Sequence, residues 1–179
     1  MSLDDTRPFV ALNIAVLTLS DTRVLADDRS GQTLVDRLQA AGHSLAARAI
    51  LPDDRAQIAD QLRVWIADQG VDVVITTGGT GLTGRDVTVE AHHDVYEKEI
   101  TAFGTVFTMI SMQKIGTSAV QSRACAGVAG GTYLFALPGS PSACRDAWDG
   151  ILAAQLDYRH KPCNFVEIMP RLEEHRRRK

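Results

Sequence analysis

The densest chemistry in the chain lies between Thr76 and Asp86, where Gly78-Gly79-Thr80-Gly81 follows directly on an apolar segment. Side chains this small let successive backbone N–H groups converge on an anion, and Thr76, Thr77 and Thr80 add hydroxyls, so phosphate is a natural ligand. A tight turn with no ligand at all accounts for the same residues. Two carboxylates stand near such turns, Asp86 just after the glycines and Asp53 after an earlier apolar stretch. Together they could hold Mg²⁺ on a nucleotide's phosphates, because this ion takes one or two carboxylates plus substrate oxygens. From local sequence alone each reads better as a helix N-cap. Ser20 and Asp21 are turn residues or pocket lining, and Pro138-Gly139-Ser140-Pro141 joins a sharp turn to a helix start. Ser140 could cap that helix, or its open N–H groups could meet an anion.

Several chemistries are disfavoured. Gly79 to Gly84 satisfies G-x-G-x-x-G, but a nicotinamide-binding unit needs a second strand ending in an acidic residue about 20 positions on. Here Glu97 and Glu99 fall in a helical pattern. A Walker A loop is excluded because no Gly-Lys-Ser/Thr follows the glycines. Cys125, Cys144 and Cys163 are widely spaced and unaccompanied by paired histidines, which supports neither zinc nor a disulfide framework, and Cys125 and Cys144 read as core thiols. His92 and His93 are adjacent, cannot share one helical face, and are expected at the surface. A net charge of −3 argues against nucleic acid. The opening Ser2, Asp4 and Asp5 replace a basic leader, and no apolar run approaches the ~20 residues of a membrane span. A reducing cytoplasm is the expected setting. The basic run Arg176 to Lys179 reads as a frayed, solvated tail.

The elements that must position these groups alternate. Leu12 to Leu19 is a short apolar run of the kind buried on both faces of a parallel sheet. A helix over Gly31 to Ala41, a weaker strand over His43 to Leu51, and a helix carrying Ile58, Leu62, Trp65 and Ile66 follow. Val71 to Thr77 is the most strand-like segment and runs straight into the glycines. Asp86 to Met112 predicts one or two helices, Ala124 to Ala129 and Thr132 to Leu137 a hairpin, and Cys144 to Leu156 a last helix closed by Pro162. The pattern predicts a three-layer α/β/α domain over residues 11–165 with a mostly parallel sheet and an antiparallel edge, between a polar leader (1–10) and a tail (166–179). Ligands in such folds gather at the carboxyl ends of the strands.

Thr76-Thr77-Gly78-Gly79-Thr80-Gly81 with Arg85-Asp86-Val87-Thr88, and later Leu137-Pro138-Gly139-Ser140-Pro141, resembles the MoaB/MogA family of molybdenum cofactor biosynthesis. Ile115-Gly116-Thr117-Ser118, Gln121-Ser122-Arg123 and Lys161-Pro162-Cys163-Asn164-Phe165 resemble its MoaB branch. The resemblance implies a molybdopterin site on a homo-oligomer built from trimers, a hexamer in the MoaB branch, and contact with other proteins of the pathway. In catalytic members Mg-ATP adenylylates the pterin phosphate. It further implies that Gly78 to Gly81 cradle phosphate, that Asp53 and Asp86 serve the Mg-ATP reaction, that Ser20 and Asp21 match a family Ser-Asp pair, and that Pro138 to Pro141 border the pterin. Val89 stands where the catalytic pattern usually has proline, which puts the local helix entry in question. The MoaB branch also includes members that look unable to adenylylate, having lost the acidic pattern, whereas this chain keeps Arg85 and Asp86.

Overall fold

The computed structural model describes residues 3–177. Six strands form one sheet in the order β2-β1-β3-β6-β5-β4. β1 (Asn13–Leu19), β2 (Ser44–Leu51), β3 (Val73–Thr77) and β6 (Thr132–Leu137) pair in parallel, while β5 (Cys125–Ala129) and the two-residue β4 (Lys98–Glu99) add the antiparallel edge. This arrangement bears out the expected α/β fold.

β1 shows why the central strands read as continuous apolar runs. Ile14 and Val16 face one layer, Ala15, Leu17 and Leu19 face the other, and all five are buried. On the first face lie α1 (Arg29–Ala40), α4 (Thr101–Ile115) and α5 (Pro141–Ala147), which runs on through a π-helical turn (Trp148–Leu152) into Ala153–Gln155. On the second lie α2 (Arg55–Ala67) and α3 (Thr88–His93). Leu34 and Leu38 of α1 and Ile58 and Leu62 of α2 are completely buried. Each contributes roughly 1.5–3 kcal/mol by leaving water.

Some boundaries differ from expectation for local reasons. α1 begins at Arg29, ahead of the expected Gly31, because Asp28 caps it, accepting from Gly31 N–H at 2.9 Å. Asp54, not Asp53, caps α2, accepting from Gln57 N–H at 2.9 Å. The segment Asp86 to Met112 is split by β4, so Glu97 and Glu99 lie beside and within an edge strand and outside any helix. α3 starts at Thr88 without a proline, and Val89 is buried against Cys125 and Ala136.

His92 is a correction: far from the surface, it is fully buried, with its ring nitrogens 2.9 Å from Thr76 Oγ1 and 2.9 Å from Tyr96 OH. His93, its neighbour, is exposed as expected. The described part of the tail takes up local structure. Residues Phe165–Ile168, Met169–Arg171 and Glu174–Arg177 form helical turns, Val166 and its neighbours pack on the core, and Arg176 pairs with Glu97 and Glu173. Of the leader and the basic run, Met1, Ser2, Arg178 and Lys179 lie outside the described residues. Among those described, no helix is long and apolar enough to cross a membrane.

Candidate functional site

β1, β3 and β6 are neighbours in the sheet and run the same way, so their carboxyl ends deliver three turns to one rim. They are Ser20-Asp21, Gly78 to Gly81, and Pro138 to Pro141. The chain leaves β1 toward β2 on one side, while β3 lies between β1 and β6, which makes this junction the switch point where α/β ligands bind.

The turns touch one another through glycine. Gly78 (φ 109°) and Gly79 (φ 61°) take left-handed conformations that other residues avoid. A Cβ on Gly78 would lie 2.4 Å from the Leu19 carbonyl, and one on Gly79 would lie 2.4 Å from Thr88 Oγ1 and 2.7 Å from Asp53 Oδ1. A Cβ on Gly139 would stand 3.1 Å from Gly78 Cα. Gly78 N–H donates to the Leu137 carbonyl at 3.0 Å, and Thr88 Oγ1 donates to the Gly78 carbonyl at 2.7 Å. The loop therefore sits between the other two turns and the start of α3.

Asp21, Asp53 and Asp86 surround this loop in different electrostatic states. The Arg85 guanidinium, with the Asp53 N–H, holds Asp21 below the ordinary carboxylate range. Asp86 is held low by its own turn, where Thr83 donates through Oγ1 at 2.7 Å and through N–H at 2.8 Å. Asp53 is pushed up by burial and by the nearby carboxylate of Asp21; Arg85 works against them, and Asp86 adds a smaller push upward. Its Oδ1 is buried with no hydrogen-bond partner. An orphaned carboxylate oxygen costs free energy until a proton or a cation satisfies it. Neither Asp53 nor Asp86 serves as a helix cap, because Asp54 fills that place on α2 and α3 has no side-chain cap. Among the described residues no three His, Cys, Asp or Glu side chains cluster as a resident metal site. Two carboxylates suit an ion that arrives on a substrate's phosphates.

The threonine hydroxyls depart from expectation. Thr76 and Thr77 are fully buried; Thr76 Oγ1 bonds His92, and Thr77 Oγ1 donates to the Pro138 carbonyl at 3.0 Å and contacts Cys144 Sγ. They knit the loop to the layers beneath it, because the central strand β3 has helices on both faces. Thr80 is almost fully buried. Ser20 Oγ accepts from Arg23 N–H at 3.1 Å and orders the first turn, and Ser140 Oγ caps α5 by accepting from Ala143 N–H at 3.1 Å. Thr88 and Arg123, from the family-like stretches Arg85 to Thr88 and Gln121 to Arg123, also reach this rim, as does Glu90, which no local pattern in the sequence marks. A cavity of about 840 Å³ opens at the opposite end of the sheet, beside Gly130, Gly131 and Glu173, but it contains none of these groups. The carboxyl-end rim is where the chemistry converges.

Residues 15–158 match the family described as "Probable molybdopterin binding domain". The chain is 50% identical over 157 residues to molybdenum cofactor biosynthesis protein B of Escherichia coli, covering 88% of this chain and 92% of that protein. It superposes on a crystal structure of a molybdenum cofactor biosynthesis protein B with a TM-score of 0.84 and 36% identity, covering 94% and 99% of the two chains. A tungsten cofactor synthesizing protein MoaB from Pyrococcus furiosus gives a TM-score of 0.72 with 34% identity over 80% of this chain and 91% of that one.

Proposed function

The chain belongs to the MoaB/MogA molybdopterin-binding family, and from that premise we propose that its glycine-loop rim binds molybdopterin and Mg-ATP and adenylylates the pterin phosphate. Its place is in molybdenum cofactor biosynthesis. The observation that carries the catalytic reading is the Asp53 carboxylate, with its Oδ1 orphaned beside Gly79 and Asp86 near at hand.

A pterin phosphate oxygen attacks the α-phosphorus of ATP, the bond to the bridging oxygen breaks, and the electron pair leaves with pyrophosphate. The chain contributes placement and charge balance. Within Gly78 to Gly81, the Gly79 and Thr80 N–H groups are the natural cradle for the phosphates, since the Gly78 N–H donates to Leu137, the Gly81 N–H faces Asp86, and the Thr76 and Thr77 hydroxyls are occupied elsewhere. Asp53 and Asp86 would hold Mg²⁺, which when bound offsets charge on the nucleotide's phosphates. Asp21 stays ionised against Arg85 and orders the Asp53 N–H. The turn from Pro138 to Pro141 borders the pterin, with Ser20 across from it.

Incubation of the purified protein with molybdopterin and Mg-ATP, followed by mass spectrometry, should yield adenylylated pterin and pyrophosphate. Asp86→Asn should bind pterin and give no product. Full turnover by that variant sinks the assignment. Pterin bound by the native protein with no pyrophosphate released would establish a noncatalytic carrier, a reading favoured by Asp86 already being satisfied within its own turn.

A further inference from the structure

We propose that Arg123 is a positioning residue that sets the glycine loop and, through it, the Asp86 carboxylate. The inference rests on the reading of Asp86 as the acidic group that serves Mg-ATP.

Arg123 comes from the segment between the 3-10 turn Gly116–Gln121 and β5, remote in sequence from the loop it holds. Its backbone N–H donates to the Thr80 carbonyl at 3.1 Å, its Nε to the Gly81 carbonyl at 2.8 Å and an Nη to the Asp86 carbonyl at 3.0 Å. The rest of the guanidinium is forked on Glu90 of α3. One residue thus fixes carbonyls at both ends of the turn that carries Asp86.

Those bonds have a directional consequence. Across a trans peptide the C=O of one residue and the N–H of the next point opposite ways. Drawing the Thr80 carbonyl to Arg123 turns the Gly81 N–H away from it, to the side of the turn on which the Asp86 carboxylate lies. A Cβ on Gly81 would stand 2.8 Å from Asp86 Oδ2, so the carboxylate packs directly on this peptide. Glu90 is neighbour to Arg123 on α3, whose first residue, Thr88, holds the Gly78 carbonyl. Arginine is required for this because its planar fork serves several acceptors at fixed angles, whereas lysine offers one point charge.

The test compares Arg123→Met and Arg123→Lys with the native protein by hydrogen exchange over residues 79–87, by thermal melting, and by turnover of molybdopterin across a Mg²⁺ titration. In Arg123→Met the 79–87 amides should exchange about tenfold faster or more while those of β3 and β6 keep their protection. Turnover should fall about ten- to a hundredfold with a higher Mg²⁺ midpoint, and Arg123→Lys should lie between. A general loss of protection, or a lower melting temperature with an unchanged Mg²⁺ midpoint, would mark Arg123 as merely structural and overturn the proposal. If Arg123→Met does not fold, Arg123→Lys is read in the same way. If the native protein makes no product, the reading of Asp86 fails, and the exchange arm alone decides: unchanged exchange over 79–87 in both variants overturns the positioning role, and selective loosening upholds it.

Discussion

Asp53 is where stability and activity pull apart. Its carboxyl group titrates above the ordinary range because it is partly desolvated and faces Asp21 and Asp86. A folded pKa above the unfolded one means that ionising the group costs stability as pH rises through the folded pKa. Asp53→Asn should therefore abolish product formation while leaving the melting temperature at pH 7.5 unchanged or raised by up to about 4 °C, measured by calorimetry. The same shift has a binding corollary. Mg²⁺ needs the ionised form, so lowering the pH through the raised Asp53 pKa should shift the Mg²⁺ midpoint to higher concentration, and should begin to do so at a higher pH than an ordinary aspartate would. In Asp53→Asn that pH dependence of binding should disappear, which isothermal titration with the Mg²⁺–nucleotide would detect.

At the scale of elements, two buried polar groups tie helices to the sheet. Asp28 caps α1, accepts from Thr18 Oγ1 at 2.8 Å, and pairs with Arg48 of β2 at 2.9 Å, its side chain entirely out of solvent. Burial works to raise its pKa, but Arg48, the Gly31 N–H and Thr18 together outweigh it and hold the carboxyl low. Asp28→Ala leaves Arg48 without that partner, and urea denaturation should register a loss of about 3–5 kcal/mol. His92 joins α3 to β3 through Thr76. Burial, with His93 adding a little, drives its pKa down from 6.5 to about 3, so the folded protein leaves it neutral where the unfolded chain takes up a proton. Stability should accordingly fall as pH drops from about 6.5 toward 3, with a slope of up to about 1.4 kcal/mol per pH unit from this group. Denaturation midpoints of His92→Gln across that range should show a shallower slope; an equal slope would mean that His92 takes up its proton in the folded state.

At the scale of the whole molecule, α4 leaves an apolar stripe in water: Val106, Met109, Met112 and Ile115 are exposed on it, followed by Val120 in the 3-10 turn. Such a stripe on a single chain is the mark of a surface meant to be covered. A homo-oligomer, trimer or hexamer, is the expected cover. Met109→Glu combined with Met112→Glu should lower the mass in solution measured by light scattering toward that of one chain, 19.4 kDa. An unchanged assembly would place the interface on another face. The same stripe runs into the segment that supplies Arg123, so the double variant should also be assayed for exchange at residues 79–87.

Much of this protein was written locally. The apolar runs of β1 and β3, the stripes of α1 and α2, and the glycine turns at strand ends are properties of neighbouring residues and are enough to predict the α/β sheet, whereas site roles for Asp53, Asp86, Gly78 to Gly81 and Pro138 to Pro141 follow only with the family resemblance. Only the tertiary structure could decide which polar groups are spent on the fold. Thr76 and Thr77 offer hydroxyls by sequence but lose them to His92, Pro138 and Cys144; His92 looked exposed beside His93 and is buried; Arg123 showed no local link to a loop some forty residues upstream. Periodicity reports which face of an element is apolar, because that depends on spacing along the chain. It carries no information about which distant donor meets which acceptor, because that is fixed only when the layers close and each buried polar group must find its partner.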